Sequence, residues 1–128
     1  MIKDCEHIDR KRYAHGLCQA CYHHNWWIKN KNKPEVRNKR RIYADSIREK
    51  VLKYYGNKCV KCGYDEDIRA LDVDHVLNDG AWHRSEVGKS SYAVLLWIIR
   101  NNYPATFQLL CANCNRLKYL DYKYGRNF

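Results

Sequence analysis

Apolar and polar positions divide this chain into unlike stretches. Over residues 46–56, Ile47, Val51 and Tyr55 recur at helical spacing. Ser46 and Glu49 form a capping box, Glu49 and Lys53 pair one turn apart, and Gly56 is a natural stop. The same helix can also start earlier, near Pro34, as one long basic connector. Residues 69–76 predict a strand, and Asn78-Asp79-Gly80 marks the turn and loop after it. SSYAVLLWIIRNN (90–102) opens on a serine cap and is apolar nearly all round, which predicts a buried helix. Pro104 breaks the chain, TFQLLC (106–111) predicts a short strand, and CANCNRLKYLDYKYG (111–125) predicts a helix ending at Gly125.

Composition sharpens this picture. At 128 residues the chain holds one domain or two very small ones. Much of its 45% hydrophobic content is Tyr, Trp and Cys, with 2 Phe and 1 Met, so the aliphatic core is thin and calls for staples. A mean hydropathy of −0.77 predicts a soluble protein. The longest apolar run, YAVLLWII (92–99), is too short to span a bilayer, so no membrane partner is expected. MIKDCEHIDRKR lacks the apolar stretch of a signal peptide, which predicts an intracellular (cytoplasmic) protein.

The net charge of +10 favours a polyanionic partner over a membrane, with a merely solvated basic surface as the competing reading. Residues 1–55 carry 14 Lys and Arg against 6 Asp and Glu, whereas residues 56–128 carry 10 against 8. KNKNKPEVRNKRR (29–41), including Lys39, Arg40 and Arg41, reads as a phosphate-tracking arm or an exposed helical face. This gives three parts: a zinc-binding module at 1–28, a basic linker and helix at 29–56, and a second zinc-stapled domain at 57–128.

Seven cysteines define the staples. Three CxxC pairs are present: Cys18/Cys21, Cys59/Cys62 and Cys111/Cys114. Two such pairs make the tetrahedral sulfur cage that zinc prefers, so Cys59, Cys62, Cys111 and Cys114 form one structural Zn²⁺ site. Cys18 and Cys21 have only Cys5 left as a sulfur partner. His7 fits as the fourth ligand, with His15, His23 and His24 as competitors. Trp26 and Trp27 are expected to cover the core of that module. A redox CxxC is disfavoured because no thioredoxin-like βαβ pattern surrounds any pair.

LDVDHVLNDGAWHR (71–84) places acids in a phosphate-seeking chain. Strand alternation puts Asp72 and Asp74 on one face and Val73 and His75 on the other. Asp74 and His75 converge only if the strand ends or twists there. Asn115 follows the last knuckle, in the first helical turn, where it can face Asp74. An Asp carboxylate and an Asn amide oxygen make a hard site suited to Mg²⁺ or Mn²⁺.

CVKCG, LDVDHV, NDG, WHR and FQLLCANCNRLK, in this order over residues 59–118, resemble the HNH endonucleases of the His-Me finger (ββα-metal) superfamily. The likeness is greatest to small phage- and mobile-element-type members, and YAHGLCQACY is similar to zinc modules that precede some of them. The resemblance implies a small α+β fold: a zinc-stapled ββα-metal (HNH) nuclease core preceded by a small zinc-finger module and a basic linker helix. It also implies that His75 is the general base and that Asp74 and Asn115 hold the catalytic Mg²⁺ or Mn²⁺. The chain departs from the family at Thr106, where an Asn usually buttresses the loop of the catalytic His. Asn78 is a candidate to orient His75 instead.

The expected function is metal-dependent hydrolysis of double-stranded DNA, leaving 5′-phosphate and 3′-hydroxyl ends. Lys118 is the foremost phosphate contact, with Arg116 and Lys123 weaker; His83 and Arg84 are candidates that read equally well as a surface pair. Asp72 either assists the metal or caps the strand face. Nicking, and double-strand cleavage by a homodimer, both remain open. The alternative is a non-enzymatic zinc-finger DNA-binding protein.

Overall fold

The computed structural model describes residues 1–125, so the last residues of the expected 57–128 domain lie outside the described residues. The fold is small α+β, with five α-helices and two antiparallel two-stranded sheets among the described residues. The chain divides into two compact units between Tyr43 and Ala44. No helix among the described residues is long and apolar enough to cross a membrane.

In the first unit, β1 (Arg12–Ala14) and β2 (Leu17–Cys18) form a short hairpin that leads directly into helix α1 (Gln19–Asn30). His15 and Gly16 turn the hairpin, both with positive φ. The buried residues that pack together are Cys5, Leu17, Cys18 and Cys21, with Ile2 and Tyr22 against them. Trp26 and Trp27 do not belong to this cluster, contrary to the expectation. Trp26 is 48% exposed and Trp27 carries the Arg40 guanidinium over its ring. A core this small is closed by cysteine and one leucine, which leaves no depth for two indoles.

Helix α2 (Pro34–Tyr54) takes the earlier of the two starts. Proline suits the first helical position because its missing N–H has no partner there in any case. Ser46 consequently lies within the helix rather than at its head. The division between the units falls inside α2, within the stretch 29–56 expected as basic linker and helix.

In the second unit, β3 (Leu71–His75) pairs with β4 (Phe107–Cys111) in the register Leu71↔Cys111 through His75↔Phe107. One face of this sheet carries Leu71, Val73, Phe107 and Leu109; Ile47, Val51 and Leu52 of α2 and Val94, Leu95 and Ile98 of helix α4 (Ser91–Arg100) join the same two core clusters. Ser90 caps α4, its Oγ accepting from Ala93 N at 3.1 Å. The opposite face carries Asp72, Asp74, Gln108 and Leu110 beneath helix α5 (Ala112–Tyr124), which stops at Gly125 in the left-handed region.

One helix was not foreseen. Residues expected as loop form α3 (Gly80–Val87). GAWHRSEV has no apolar stripe, so periodicity is silent there; His83 and Val87 pack into the core formed with Trp97 and Phe107.

Candidate metal centres and active site

Each cysteine cluster forms where a strand runs into a helix. Cys18 and Cys111 are the residues just before α1 and α5, and Cys21 and Cys114 follow one turn later on the buried side. A CxxC at such a junction points both sulfurs at one centre, because residues three apart share a helix face.

The ligand atoms of Cys59, Cys62, Cys111 and Cys114 all lie within 4.8 Å of one another, and so do those of Cys5, His7, Cys18 and Cys21. The first knuckle of the four-cysteine set docks on β4 through Val60 N to Leu109 O at 3.0 Å. At the other cluster His7 Nδ1 lies 3.2, 3.7 and 3.4 Å from the sulfurs of Cys5, Cys18 and Cys21. His7 is therefore the nitrogen of this set. His15 stacks on Tyr22 and His23 packs against Tyr13 and Tyr22, so neither approaches the sulfurs.

Within each cluster the thiols divide in acidity. The Cys18 backbone N–H, with help from His7, draws Cys5 down to about 5, while burial and the neighbouring thiols push Cys21 up to about 11. Burial opposes ionisation of Cys59, but the N–H groups of Cys111, Cys62 and Lys61 outweigh it and bring it to about 6. Cys114 is pushed up to about 12, chiefly by burial. Four sulfurs at such spacing cannot all ionise unaided, and a cation among them removes that conflict. Both sets fit a structural metal ion such as zinc.

The acidic strand lies beside the four-cysteine set, and here the structure differs from expectation. Asn115 Nδ2 donates to Asp72 Oδ2 at 3.0 Å, not to Asp74. Asp74 Oδ2 instead accepts from Gln108 Nε2 at 2.8 Å and pairs with Lys118 Nζ at 2.5 Å. Lys118 also donates to the His75 carbonyl at 2.6 Å. The reason is the direction of α5, which runs back alongside β3. Three helical residues advance about 4.5 Å and two strand residues about 6.6 Å, so Asn115 and Lys118 match Asp72 and Asp74 in order. Lys118 is thus engaged within the protein rather than presented as a phosphate contact.

His75 points to the other face of the sheet, as alternation requires, with its ring 4.7 Å from that of Phe107. Its Nε2 lies 3.0 Å from Nδ1 of His83. His83 is 6% exposed, set against Trp97 at 4.4 Å between ring centroids. It is therefore a buried partner of His75, not a surface phosphate ligand. Asn78 does not reach the ring; its backbone N–H donates to His75 O as the chain turns at φ 58°. At Thr106 the carbonyl receives the Val76 N–H at 2.9 Å, so backbone replaces side chain in holding this loop. Burial lowers the pKa of His75 below its ordinary value of 6.5, and the His83 ring adds to the effect.

Among the described residues β3 pairs with β4 alone, which leaves its outer edge free of a further strand. A cavity of about 550 Å³ there is lined by Asp72, His75 and Asn115 together with Arg48, Arg84 and Lys89. Asp74 is not among its lining residues. Arg48 reaches over from α2 and donates to the carbonyls of Ile68 and Leu71. Sequence reading missed Arg48 and Lys89; a sign for Arg48 was its place beside Ile47, at the border of the apolar stripe. Of the other basic candidates, Arg116 stacks on Tyr119, Lys123 lies near the rings of Tyr119 and Tyr124, and Lys39, Arg40 and Arg41 are exposed on α2.

Comparison with protein-family models, curated proteins and solved structures finds no match to this chain. Its class rests on the small α+β fold and the two Cys/His clusters.

Proposed function

We propose that this chain is a metal-dependent DNA endonuclease of HNH type, working at the open edge of β3. One observation carries the proposal: a single cavity gathers an imidazole, a carboxylate, an amide and three cationic side chains. That set matches the needs of phosphodiester hydrolysis, namely a base for water, oxygen ligands for a hard cation and positive charge for the phosphate.

Asp72 and Asn115 line the cavity and fit a hard divalent cation, the Asn115 amide contributing its oxygen once turned. Asp74, the ligand expected from the family resemblance, joins them only if Lys118 leaves it. Mg²⁺ or Mn²⁺, when bound, supplies Lewis-acid stabilisation of the charge that develops on the phosphate and the departing oxygen.

Neutral His75 accepts a proton from water, and the resulting hydroxide attacks the phosphorus in line. The bond from phosphorus to the 3′-oxygen breaks, and that oxygen takes a proton from solvent. The products are 5′-phosphate and 3′-hydroxyl ends. Arg84 and Lys89 hold the phosphate, while Arg48, tied to two carbonyls, fixes the cavity wall. The exposed Lys39, Arg40 and Arg41 grip the backbone of double-stranded DNA without reading sequence.

A second reading, a non-enzymatic zinc-finger DNA-binding protein, is favoured by the Lys118 ammonium that already neutralises Asp74. Supercoiled plasmid with Mg²⁺ or Mn²⁺ separates the two. The nuclease converts it to nicked or linear product and His75→Ala does not. Plasmid left intact by wild type, with DNA binding retained, establishes the second reading.

A further inference from the structure

The His75 ring has two nitrogens, and the structure occupies one of them. Its Nε2 faces Nδ1 of His83 at 3.0 Å. Two neutral imidazoles at that distance share one hydrogen, so one ring donates and the other accepts.

The surroundings of His83 decide the direction. Its other nitrogen, Nε2, is buried and has no hydrogen-bond partner among the described residues. The ring sits between aromatic groups, with Trp97 edge-on at 4.4 Å and Phe107 at 5.6 Å. A bare ring nitrogen there lacks a donor, whereas an N–H among aromatic rings retains a weak contact with their π electrons. That contact favours the His83 tautomer with hydrogen on Nε2 and an accepting Nδ1.

A Cβ added at Gly80 would lie 3.0 Å from both His75 Nδ1 and Arg84 Nη1. Glycine thus leaves clearance beside the second imidazole nitrogen and beside a guanidinium of the cavity wall.

We propose that His83 is the positioning residue of the site: it accepts from His75 Nε2–H and holds His75 in the tautomer whose bare Nδ1 receives the proton from water. This assignment rests on the nuclease reading above for its consequence in catalysis, but the tautomer itself is a property of the resting protein. His83 thus orients the His75 ring, while the backbone bond from Val76 to Thr106 holds its loop.

Two full-length variants test it. His83→Phe keeps an aromatic ring against Trp97 and Phe107 but removes the acceptor. His83→Asn places an amide oxygen close to where Nδ1 stood. Ring ¹⁵N NMR of His75 reads the tautomer without DNA, and single-turnover cleavage reads the consequence. The expected results are Nε2–H in wild type, a mixture of tautomers in His83→Phe, and recovery of Nε2–H in His83→Asn. The cleavage rate should fall roughly 10–100-fold in His83→Phe, the range seen when partners of functional histidines are removed, with DNA affinity unchanged, and recover in His83→Asn. An unchanged His75 tautomer in His83→Phe overturns the proposal, as does a His83→Asn that recovers neither property. If wild type cleaves no DNA, the nuclease reading fails, and the NMR result alone still decides whether His83 orients His75.

Discussion

Both halves of this chain use the same device, a CxxC pair at a strand-to-helix junction, yet they build different objects from it. In the first unit the ligands are the core: Cys5, Cys18 and Cys21 with Leu17 make up its buried cluster. In the second, Cys59, Cys111 and Cys114 share one cluster with Leu52, Leu71, Leu109 and Leu110, and a separate cluster of Ile47, Val51, Val94, Leu95, Ile98 and Phe107 contains no cysteine. The histidines differ likewise. His7 faces three sulfurs, whereas His75 faces a second imidazole beside an open cavity. A metal cluster that carries the whole core leaves little room for chemistry, whereas one backed by an aliphatic core can anchor a working edge.

The sharpest way to break this comparison is to remove one ligand from each cluster. Structural zinc is worth about 10–16 kcal/mol in small fingers. Cys18→Ser should abolish amide-exchange protection throughout β1, β2 and α1. Cys59→Ser should loosen the knuckle and the start of α5 while α4 and residues 47–54 of α2 stay protected. Equal loss in both units would show that the aliphatic cluster does not stand without the metal.

The acidity of His75 gives the next test. The folded pKa of His75 lies below 6.5, so the neutral ring is favoured by folding. Its contribution to stability is full above the unfolded value of 6.5 and is lost as pH falls through the lowered folded value. On the proposed nuclease reading, cleavage should accordingly stay level down to pH 6.5 and then drop by about tenfold per pH unit below the lowered pKa. Zinc content measured at the same pH values tells whether cysteine protonation is responsible; a rate that falls in step with zinc loss would remove His75 from the explanation.

The smallest effect is expected from Arg40→Ala, which removes a guanidinium 4.6 Å from the Trp27 ring centroid. An exposed cation–π contact is worth about 0.5–1 kcal/mol. The first unit should lose that much by thermal denaturation, and DNA affinity should become less salt-dependent by roughly one unit of slope. An unchanged salt slope would take Arg40 out of the proposed DNA-binding face.

Much of the frame was legible in residue order because it is local. CxxC spacing located both clusters, the Ser90 cap located α4, and Pro104 with Gly125 bounded β4 and α5. Alternation also put Asp72 and Asp74 opposite His75 in advance. What residue order left open was which distant group each of them meets. Helix α3 lacks an apolar stripe, so neither its existence nor the burial of His83 had a periodic signal. The pairing of Asn115 with Asp72, and of Lys118 with Asp74, depends on how far α5 has advanced along β3 when it crosses each acid.

Sequence by itself therefore determined the donor chemistry: four sulfurs in one set, three sulfurs and an imidazole in the other, and an acid-histidine strand between the knuckles of the four-cysteine set. Tertiary structure decided the partners: His7 over His15 and His23, Asp72 rather than Asp74 beside Asn115, and His83 behind His75. The physical reason is one of range. Ligand spacing and capping act over a few residues and are written in their order. Partner choice depends on the direction and advance of whole elements, which packing alone sets.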